Sequence, residues 1–405
     1  MRQMPEILAP AGDFERLEMA VRFGADAVYL GSDRFGMRSS AAKFGGEQLS
    51  RAVDFAHSHG VKVYLTCNTI PRNNDLKDLS EFLHNAKDCG VDALIVADIG
   101  IFMEARREVP TMEIHISTQA GITNYLTATE FYRLGAKRVV LARELSFEEI
   151  IGIRRNTPPE LEIETFVHGA MCMSFSGRCM LSQYLTGRDA NRGECAQPCR
   201  WGYYLMEEKR KGQYFKIFED EKGTYILNAK DLCMIEHIDD LVNAGITSFK
   251  IEGRAKSAYY VGVVTNAYRT VLDLYRESPE AFQTPAWLVD EVQKVSHRKY
   301  CTGFYYGAPE NGQYYETGGY IRTCDIVGVA EECREGCLYG TQRNKFSVGD
   351  VLEVLSPGQK PVEIIVADLQ NENGEAVNSA NHAMMPFSFS CQSTFERGSI
   401  LRRCL

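Results

Sequence analysis

The residues best suited to chemistry in this sequence lie in one segment, residues 166–201, which reads FVHGAMCMSFSGRCMLSQYLTGRDANRGECAQPCRW. Four cysteines occur there with the spacing C-x6-C-x15-C-x3-C, and a fifth follows after 33 further residues. They are Cys172, Cys179, Cys195, Cys199 and Cys233. Thiolates select soft metals, so this set suits an iron–sulfur cluster or zinc. Only Cys195 and Cys199 approach the close pairing typical of zinc, so the spacing favours a cluster, with buried free thiols as a further alternative.

The composition of the 405 residues limits the classes of protein to consider. A hydrophobic content of 44% and a charged content of 24% are typical of a globular protein, and the length is sufficient for two domains. The net charge of −9 argues against broad nucleic-acid binding, although it does not exclude a local basic face. Thirteen cysteines, an odd number, predict reduced thiols rather than a disulfide scaffold. No apolar run approaches a membrane span and the first residues lack a signal peptide, so we expect a cytoplasmic protein with no membrane partner.

The elements that position these cysteines follow from a repeated pattern in the first 255 residues. Short apolar runs predict strands at Ile7–Ala9, Ala27–Gly31, Lys62–Asn68, Ala93–Asp98, Glu113–Thr118, Arg138–Arg143, Glu162–His168 and Ser248–Glu252. Amphipathic stretches predict helices at Phe14–Phe23, Gly46–His59, Leu76–Cys89, Ile101–Glu108, Leu126–Leu134 and Phe147–Arg155, and a later one at Lys256–Tyr275. Glycine ends several of these helices just before a strand, as in FGADAVYLG and LGAKRVVLAR. Eight β/α units in about 250 residues predict a TIM-type (β/α)8 barrel, and the lack of G-x-G-x-x-G disfavours an open doubly wound sheet.

Polar residues follow the predicted strands, where a barrel carries its active face. They are Pro10, Gly31, Asn68, Asp98, Thr118, Gln119, Arg143, Glu144, His168, Glu252 and Arg254, of which all but the first two are polar or ionisable. A ligand pocket needs such groups, but strand ends are also polar because they meet solvent. We therefore expect only some of them to bind a ligand.

The remaining sequence predicts an insertion and a second domain. Residues 1–283 form the predicted barrel, in which residues 170–247 replace the short helix after strand seven and place the cysteines over the barrel mouth. Residues 284–319 are a predicted connector. Residues 320–405 alternate as in β-proteins, with turns at Ser356–Lys360 and Asn371–Gly374, and predict a small barrel-like or sandwich domain. Cys333 and Cys337 lack a second pair and are interpreted as surface thiols.

Several long motifs resemble one known family. The cysteine segment, EILAPAG near the start, FGADAVYLG, and KDLC before FKIEGRAKSAYYV resemble a bacterial family of collagenase-like peptidases of unknown catalytic type, family thirty-two. The resemblance covers about two thirds of the chain, from Pro5 to Tyr268, and the C-terminal β-domain fits the longer members. It implies prephenate-dependent 5-hydroxylation of the wobble uridine in tRNA. More distant relatives, which act in oxygen-independent ubiquinone hydroxylation, carry a 4Fe–4S cluster on cysteines of this loop.

The resemblance also implies a site. Its cluster ligands correspond to Cys172, Cys179, Cys195 and Cys233, with Cys199 as an alternative ligand and zinc as the alternative metal. Arg143, Lys250, Asn68 and Gln119 are predicted to bind substrate, and Arg143, Lys250 and Arg254 suit the two carboxylates of prephenate. His168, Glu252 and Arg254 are the predicted catalytic residues, although His168 is equally well interpreted as a core histidine. The expected partners are tRNA, prephenate or a related small acid, and a partner protein of the same family.

Two other classes of function remain open from the sequence. A peptidase needs an oriented nucleophile or a metal motif, but neither H-E-x-x-H nor G-x-S-x-G occurs. Ser176 and His168 could form a dyad, although such pairs arise in almost any chain of this length. A non-catalytic scaffold that presents tRNA or an enzyme is the second alternative. Its phosphate contacts would come from Arg188, Arg192, Arg200, Lys250, Arg254 and Lys256, which are otherwise a solvated rim.

Overall fold

The computed structural model describes residues 4–32, 34–36, 44–172, 174–175, 178–201, 218–220, 223–225, 229–307 and 320–404. Eight parallel strands of its first sheet form a barrel: β1 (Glu6–Pro10), β2 (Ala27–Gly31), β3 (Lys62–Cys67), β4 (Ala93–Val96), β5 (Glu113–Ile116), β6 (Arg138–Val140), β7 (Glu162–Ala170) and β11 (Ser248–Ile251). Each strand pairs with the next, and β11 pairs with both β7 and β1, so the sheet closes. The predicted TIM-type barrel is therefore confirmed.

Helices surround this barrel and connect its strands. They are α1 (Phe14–Arg22), α2 (Glu47–Ser58), α3 (Leu79–Asp88), α4 (Ile99–Glu108), α5 (Tyr125–Arg133), α6 (Phe147–Arg155) and α9 (Ala258–Glu277). Ser146 and Glu149 form a capping box at the start of α6. Gly24 and Gly135 follow α1 and α5 with φ of 93° and 104°, a conformation that side chains with a Cβ rarely adopt. Every predicted end of these helices and strands lies within three residues of the observed one.

The insertion between β7 and β11 contains short elements. These are α7 (Leu181–Thr186), two 3-10 turns (Ala190–Arg192 and Pro198–Arg200), β8 (Phe218–Asp220), β9 (Gly223–Tyr225), β10 (Asp231–Cys233) and α8 (Ile238–Asn243). β8 and β9 form an antiparallel pair, and Ser176 lies outside the described residues. β10 pairs antiparallel with the end of β7. The connector supplies α10 (Ala286–Gln293) and β12 (Tyr300–Cys301), and β12 pairs with β10.

The C-terminal region is all-β, as predicted. Its strands are β13 (Cys324–Arg334), β14 (Cys337–Gln342), β15 (Phe346–Ser347), β16 (Val351–Leu355), β17 (Val362–Ile365), β18 (Ser379–Ala380), β19 (Pro386–Ser390) and β20 (Ile400–Cys404). Six of them form one antiparallel sheet in the order β17-β16-β20-β13-β14-β19, an open half-barrel among the described residues. The predicted turns are both present: residues 356–361 join β16 to β17, and Asn371 N donates to Glu375 O.

A buried ion-pair network joins this half-barrel to α10, and a disulfide links two of its own strands. Arg402 on β20 is fully buried and pairs with Glu291 of α10 and Glu353 of β16, each at 2.6 Å. Cys324 and Cys404 are register partners on β13 and β20 and form a disulfide, so the prediction that all thiols are reduced is wrong for this pair. None of the helices in the described ranges combines the length and the apolar character that crossing a membrane requires.

Candidate active site

A cavity of about 340 Å³ lies at the C-terminal ends of the barrel strands. The strand ends and the turns after them contribute Tyr29, Thr66, Asn68, Ser117, Gln119, Arg143, Phe166, Lys250, Glu252 and Arg254 to its wall. The insertion contributes Cys172, Ser174, Cys179, Leu181, Cys195, Gln197, Pro198 and Cys199. The cysteine segment and the predicted substrate-binding residues therefore line one cavity at the barrel mouth.

Buried charges inside the barrel form the floor of this cavity. Glu164 contacts Lys250 Nζ at 2.6 Å and Arg138 Nη1 at 3.1 Å, and all three residues are at most 5% exposed. Arg138 also pairs with Glu6 and Glu162. Burial opposes ionisation of Glu164, but the two cations outweigh it and lower the pKa of the carboxyl group. Burial lowers the pKa of Lys250, and the contact with Glu164 only partly offsets this effect. The contact with Glu164 thus fixes the amine of Lys250 at the cavity surface.

Arg143 lies on the cavity wall just beyond β6. Its guanidinium carbon is 3.8 Å from the ring centroid of Phe166, and Nη1 donates to the carbonyl oxygen of Ala170 at 2.8 Å. Its Nε is buried and has no hydrogen-bond partner within the part of the chain that the structure describes. Buried donors are rarely left unpaired, so this atom indicates a place for a ligand acceptor.

Two further arginines line the cavity. Arg254, beyond β11, donates from Nη1 to Thr66 Oγ1 at 3.0 Å and is 6% exposed. Arg298, next to β12, is buried and pairs with Asp231 at 2.7 Å. Sequence reasoning missed Arg298, since its only signal was the basic run of residues 297–299 in a connector whose strand pairing was not predictable. Together with Lys250 these groups suit a ligand that carries carboxylates.

Neutral polar groups line another part of the wall. Asn68 Nδ2 donates to Ser117 Oγ at 3.4 Å, and that hydroxyl donates to Gln119 Oε1 at 2.9 Å. Amide side chains both donate and accept hydrogen bonds, so Asn68 and Gln119 can read the polar edge of a ligand. Glu252 adds a carboxylate to the same cavity. Six predicted substrate or catalytic residues thus meet there: Asn68, Gln119, Arg143, Lys250, Glu252 and Arg254.

The four cysteines of the insertion line the same cavity. Cys179 Sγ accepts from the backbone N–H of Leu181 at 3.4 Å, and Cys195 Sγ accepts from that of Gln197 at 3.4 Å. Hydrogen bonds of this kind stabilise thiolates and are among the groups that tune a cluster. Cys172 and Cys199 complete the set around the cavity.

His168 and Cys233 do not line the cavity. Lys250 pairs with Phe166 and Ile251 pairs with His168, so Val167 is an extra residue in β7, a β-bulge. The bulge reverses the side-chain alternation and turns His168 outward with Ile251. Cys233 is the register partner of His168 on β10, and such partners project to the same face of a sheet.

The outward pocket that holds these two residues is lined by tyrosines. Tyr268 Oη lies 3.4 Å from His168 Nδ1, and Tyr300 Oη lies 3.3 Å from Nε2. Desolvation lowers the pKa of His168 to about 3, so the imidazole is neutral. Desolvation also raises the pKa of the Cys233 thiol to about 12. This environment supports the core-histidine interpretation of His168, whereas the predicted dyad stays untested because Ser176 lies outside the described residues.

The thiols fit a soft metal by their chemistry and by their shared cavity. Across the described ranges, however, no three His, Cys, Asp or Glu side chains converge within ligating distance. The cavity thus combines four candidate thiolate donors with cations and amides that can hold a small acid. A closed (β/α)8 barrel with such a cavity at its C-terminal face belongs to the TIM-barrel enzymes.

Within that class the chain belongs to peptidase family U32. The model of this family matches residues 12–314, and that of the family U32 C-terminal domain matches residues 322–402. The resemblance drawn from the sequence motifs is therefore confirmed.

Relatives of known name match most of the chain. tRNA hydroxylation protein P1 of Bacillus subtilis is 36% identical over 402 residues, which cover 98% of this chain and 94% of the relative. tRNA hydroxylation protein P of Escherichia coli is 37% identical, with 92% and 90% covered. The 23S rRNA 5-hydroxycytidine C2501 synthase of E. coli is 36% identical over 299 residues, which cover 72% of this chain and 44% of that enzyme. These relatives are named for hydroxylating RNA.

Proposed function

We propose that this chain is a tRNA hydroxylase that acts at carbon 5 of the wobble uridine, with prephenate or a related small acid as co-substrate and a 4Fe–4S cluster as cofactor. One observation carries the proposal: the thiols of the insertion and the cations of the strand ends line the same cavity. The names of the relatives support RNA as the substrate. Carbon 5 of uracil resists simple acid–base chemistry, so its hydroxylation needs redox chemistry from a cofactor.

Different residues of the cavity have different proposed roles. The cysteines would hold the cluster, which supplies electron transfer when it is bound. Arg143 and Arg254 bind the carboxylates of the acid by charge-assisted hydrogen bonds, with Lys250 below them. Asn68 and Gln119 offer donors and acceptors to the polar edge of uracil. Because these groups are fixed by the barrel, the acid and the base are held in one orientation.

The geometry favours Cys199 over Cys233 as the fourth ligand. Cys199 lines the cavity with Cys172, Cys179 and Cys195, whereas Cys233 faces the tyrosine pocket on the other side of β7. A fourth thiolate from Cys233 would require the end of β10 to turn over. We therefore propose the set Cys172, Cys179, Cys195 and Cys199.

Anaerobic purification with iron and sulfide analysis tests the cofactor. The protein should contain about four iron and four sulfide per chain. Cys199→Ser should lose most of this iron, whereas Cys233→Ser and the control Cys337→Ser, on the C-terminal half-barrel, should retain it. Stoichiometric zinc in place of iron would contradict the cluster. Iron lost from Cys233→Ser but not from Cys199→Ser would contradict the ligand set.

Nucleoside analysis of tRNA from a deletion strain tests the reaction. Expression of the wild-type chain should restore 5-hydroxylated wobble uridine, and Cys179→Ser or Cys195→Ser should not. Full hydroxylation by these variants would mean that the chain acts as a non-catalytic scaffold. A partner protein of the same family stays a prediction, and co-purification with the tagged chain tests it.

A further inference from the structure

The surface around the cavity mouth is unusually rich in exposed apolar side chains. Twenty large hydrophobic residues are exposed in the described ranges, and six of them lie between residues 175 and 201. They are Phe175, Met180, Leu181, Tyr184, Leu185 and Trp201. We name the three aromatic ones, Phe175, Tyr184 and Trp201, the aromatic rim; they are 51%, 81% and 41% exposed. Packing of the insertion itself does not require such exposure, so these rings are available to a partner.

Each ring of the aromatic rim lies near a residue of the cavity wall. Tyr184 lies one turn along α7 from Leu181, which is part of the cavity wall. Trp201 follows the 3-10 turn that begins with Pro198, another wall residue. Phe175 packs beside Gly121, which is next but one to Gln119 of the wall. The segments that form part of the cavity wall therefore also carry these exposed rings.

The charge of the same segment is opposite to that of the whole chain. Residues 171–201 contain four arginines against two carboxylates, a balance of +2, whereas the chain carries −9. Arg178 lies at the wall, where its Nε donates to the carbonyl oxygen of Gln119 at 2.7 Å. Arg188 is exposed, and the described residues form no ion pair with it. An anionic partner is therefore favoured at the mouth of an otherwise acidic protein.

The size of the cavity decides which part of such a partner enters. A volume of about 340 Å³ is at the lower end of the range for small-molecule pockets, roughly 300–1,000 Å³. It suits one base with a small acid, so the rest of an RNA must remain outside. Enzymes that modify a base take it out of its stack, and the flanking unpaired bases then stack on aromatic side chains.

We propose that the aromatic rim is the platform on which the unpaired bases of an RNA loop stack while the target base occupies the cavity, and that Arg188 contacts the loop phosphates. The inference rests on the proposed function and names the part of the surface that recognises its substrate. It commits to single-stranded RNA because stacking rings and arginines occur together here, a combination typical of such sites.

Fluorescence anisotropy with the full chain and a synthetic RNA hairpin that has a uridine-containing loop tests this inference. Tyr184→Ala should weaken binding about 5- to 100-fold, the range for loss of one stacked base. Tyr184→Phe should bind within about twofold of wild type, because the ring is retained. Arg188→Gln should reduce the slope of log affinity against log salt by about 0.7. Leu134→Ala, at the opposite end of the barrel, is the control, and all variants should retain wild-type iron content.

The outcomes separate this inference from the proposed function. Unchanged hairpin affinity in Tyr184→Ala, with cysteine-dependent hydroxylation intact, would overturn the platform and leave the hydroxylase standing. Equal weakening for the hairpin and for a fully paired RNA duplex would also overturn it, since a duplex offers no unpaired bases. If Tyr184→Ala abolishes capture of a protein partner but not RNA binding, the rim is a protein-docking surface instead.

Discussion

Removal of the Glu164 charge should destabilise the fold strongly, because this carboxylate neutralises two buried cations. Glu164→Gln keeps the size of the side chain but leaves Lys250 and Arg138 with less compensation, and Glu164 is fully buried. Breaking a buried ion pair by removal of one partner costs about 3–5 kcal/mol. We expect a loss of at least about 3 kcal/mol in the free energy of unfolding, measured by urea denaturation at pH 7.

Glu162→Gln is the matched control. Glu162 belongs to the same network, at 2.6 Å from Arg138, but its side chain is 27% exposed. Water compensates for part of its charge, so the expected loss is about 1 kcal/mol or less. Equal, small losses in both variants would refute the view that the buried floor depends on Glu164.

The acid dependence of stability gives a second measurement on Glu164→Gln. Folding lowers the pKa of Glu164 below its ordinary value of 4.5. The ionised carboxylate therefore contributes stability that is fully present above that value and is lost as the pH falls through the folded pKa. The variant should lack this part of the acid loss. Identical acid profiles for both proteins would contradict the direction of the shift.

Three further predictions concern other parts of the chain. Folding lowers the pKa of His168 from 6.5 to about 3, so the free energy of unfolding should fall by about 1.4 kcal/mol per pH unit as the pH drops below 6.5. His168→Phe should flatten that slope in urea titrations, and an unchanged slope would contradict the buried neutral imidazole. Arg143→Gln should weaken prephenate binding about 10- to 100-fold in calorimetry, because a charge-assisted hydrogen bond is lost; unchanged affinity would place the acid elsewhere. Cys404→Ser removes a disulfide between residues 80 positions apart and should lower the free energy of unfolding by up to about 4 kcal/mol without reductant. The difference from wild type should vanish when reductant is added. A difference that persists would mean that the serine destabilises the fold for another reason.

Much of the barrel could be predicted because its signals are local. Gly24 and Gly135 end helices, and Ser146 with Glu149 begins one, so each boundary depends on a few neighbouring residues. The polar strand ends then follow from the parallel direction of the strands. Arg143 and Arg254 could be assigned to the cavity on this basis alone.

The faces of His168 and Cys233 could not be predicted, because they depend on a pairing between distant strands. Simple alternation from Phe166 would turn His168 into the cavity, and only the extra residue at Val167 reverses it. The contribution of Arg298 depends on β12 joining β10, and the disulfide depends on the register of β13 with β20. Contacts of this kind are decided by packing between elements, which a single sequence does not display.

The charged floor of the barrel also restricts how such a protein can change during evolution. Glu6, Arg138, Glu164 and Lys250 come from four different strands, and successive ion pairs link them into one network. A lineage that replaces one of them must pass through a poorly folded intermediate unless a second replacement arrives with it. We expect these positions to vary together or not at all among descendants. A designer who moves this cavity to another barrel would have to move the four residues as a unit.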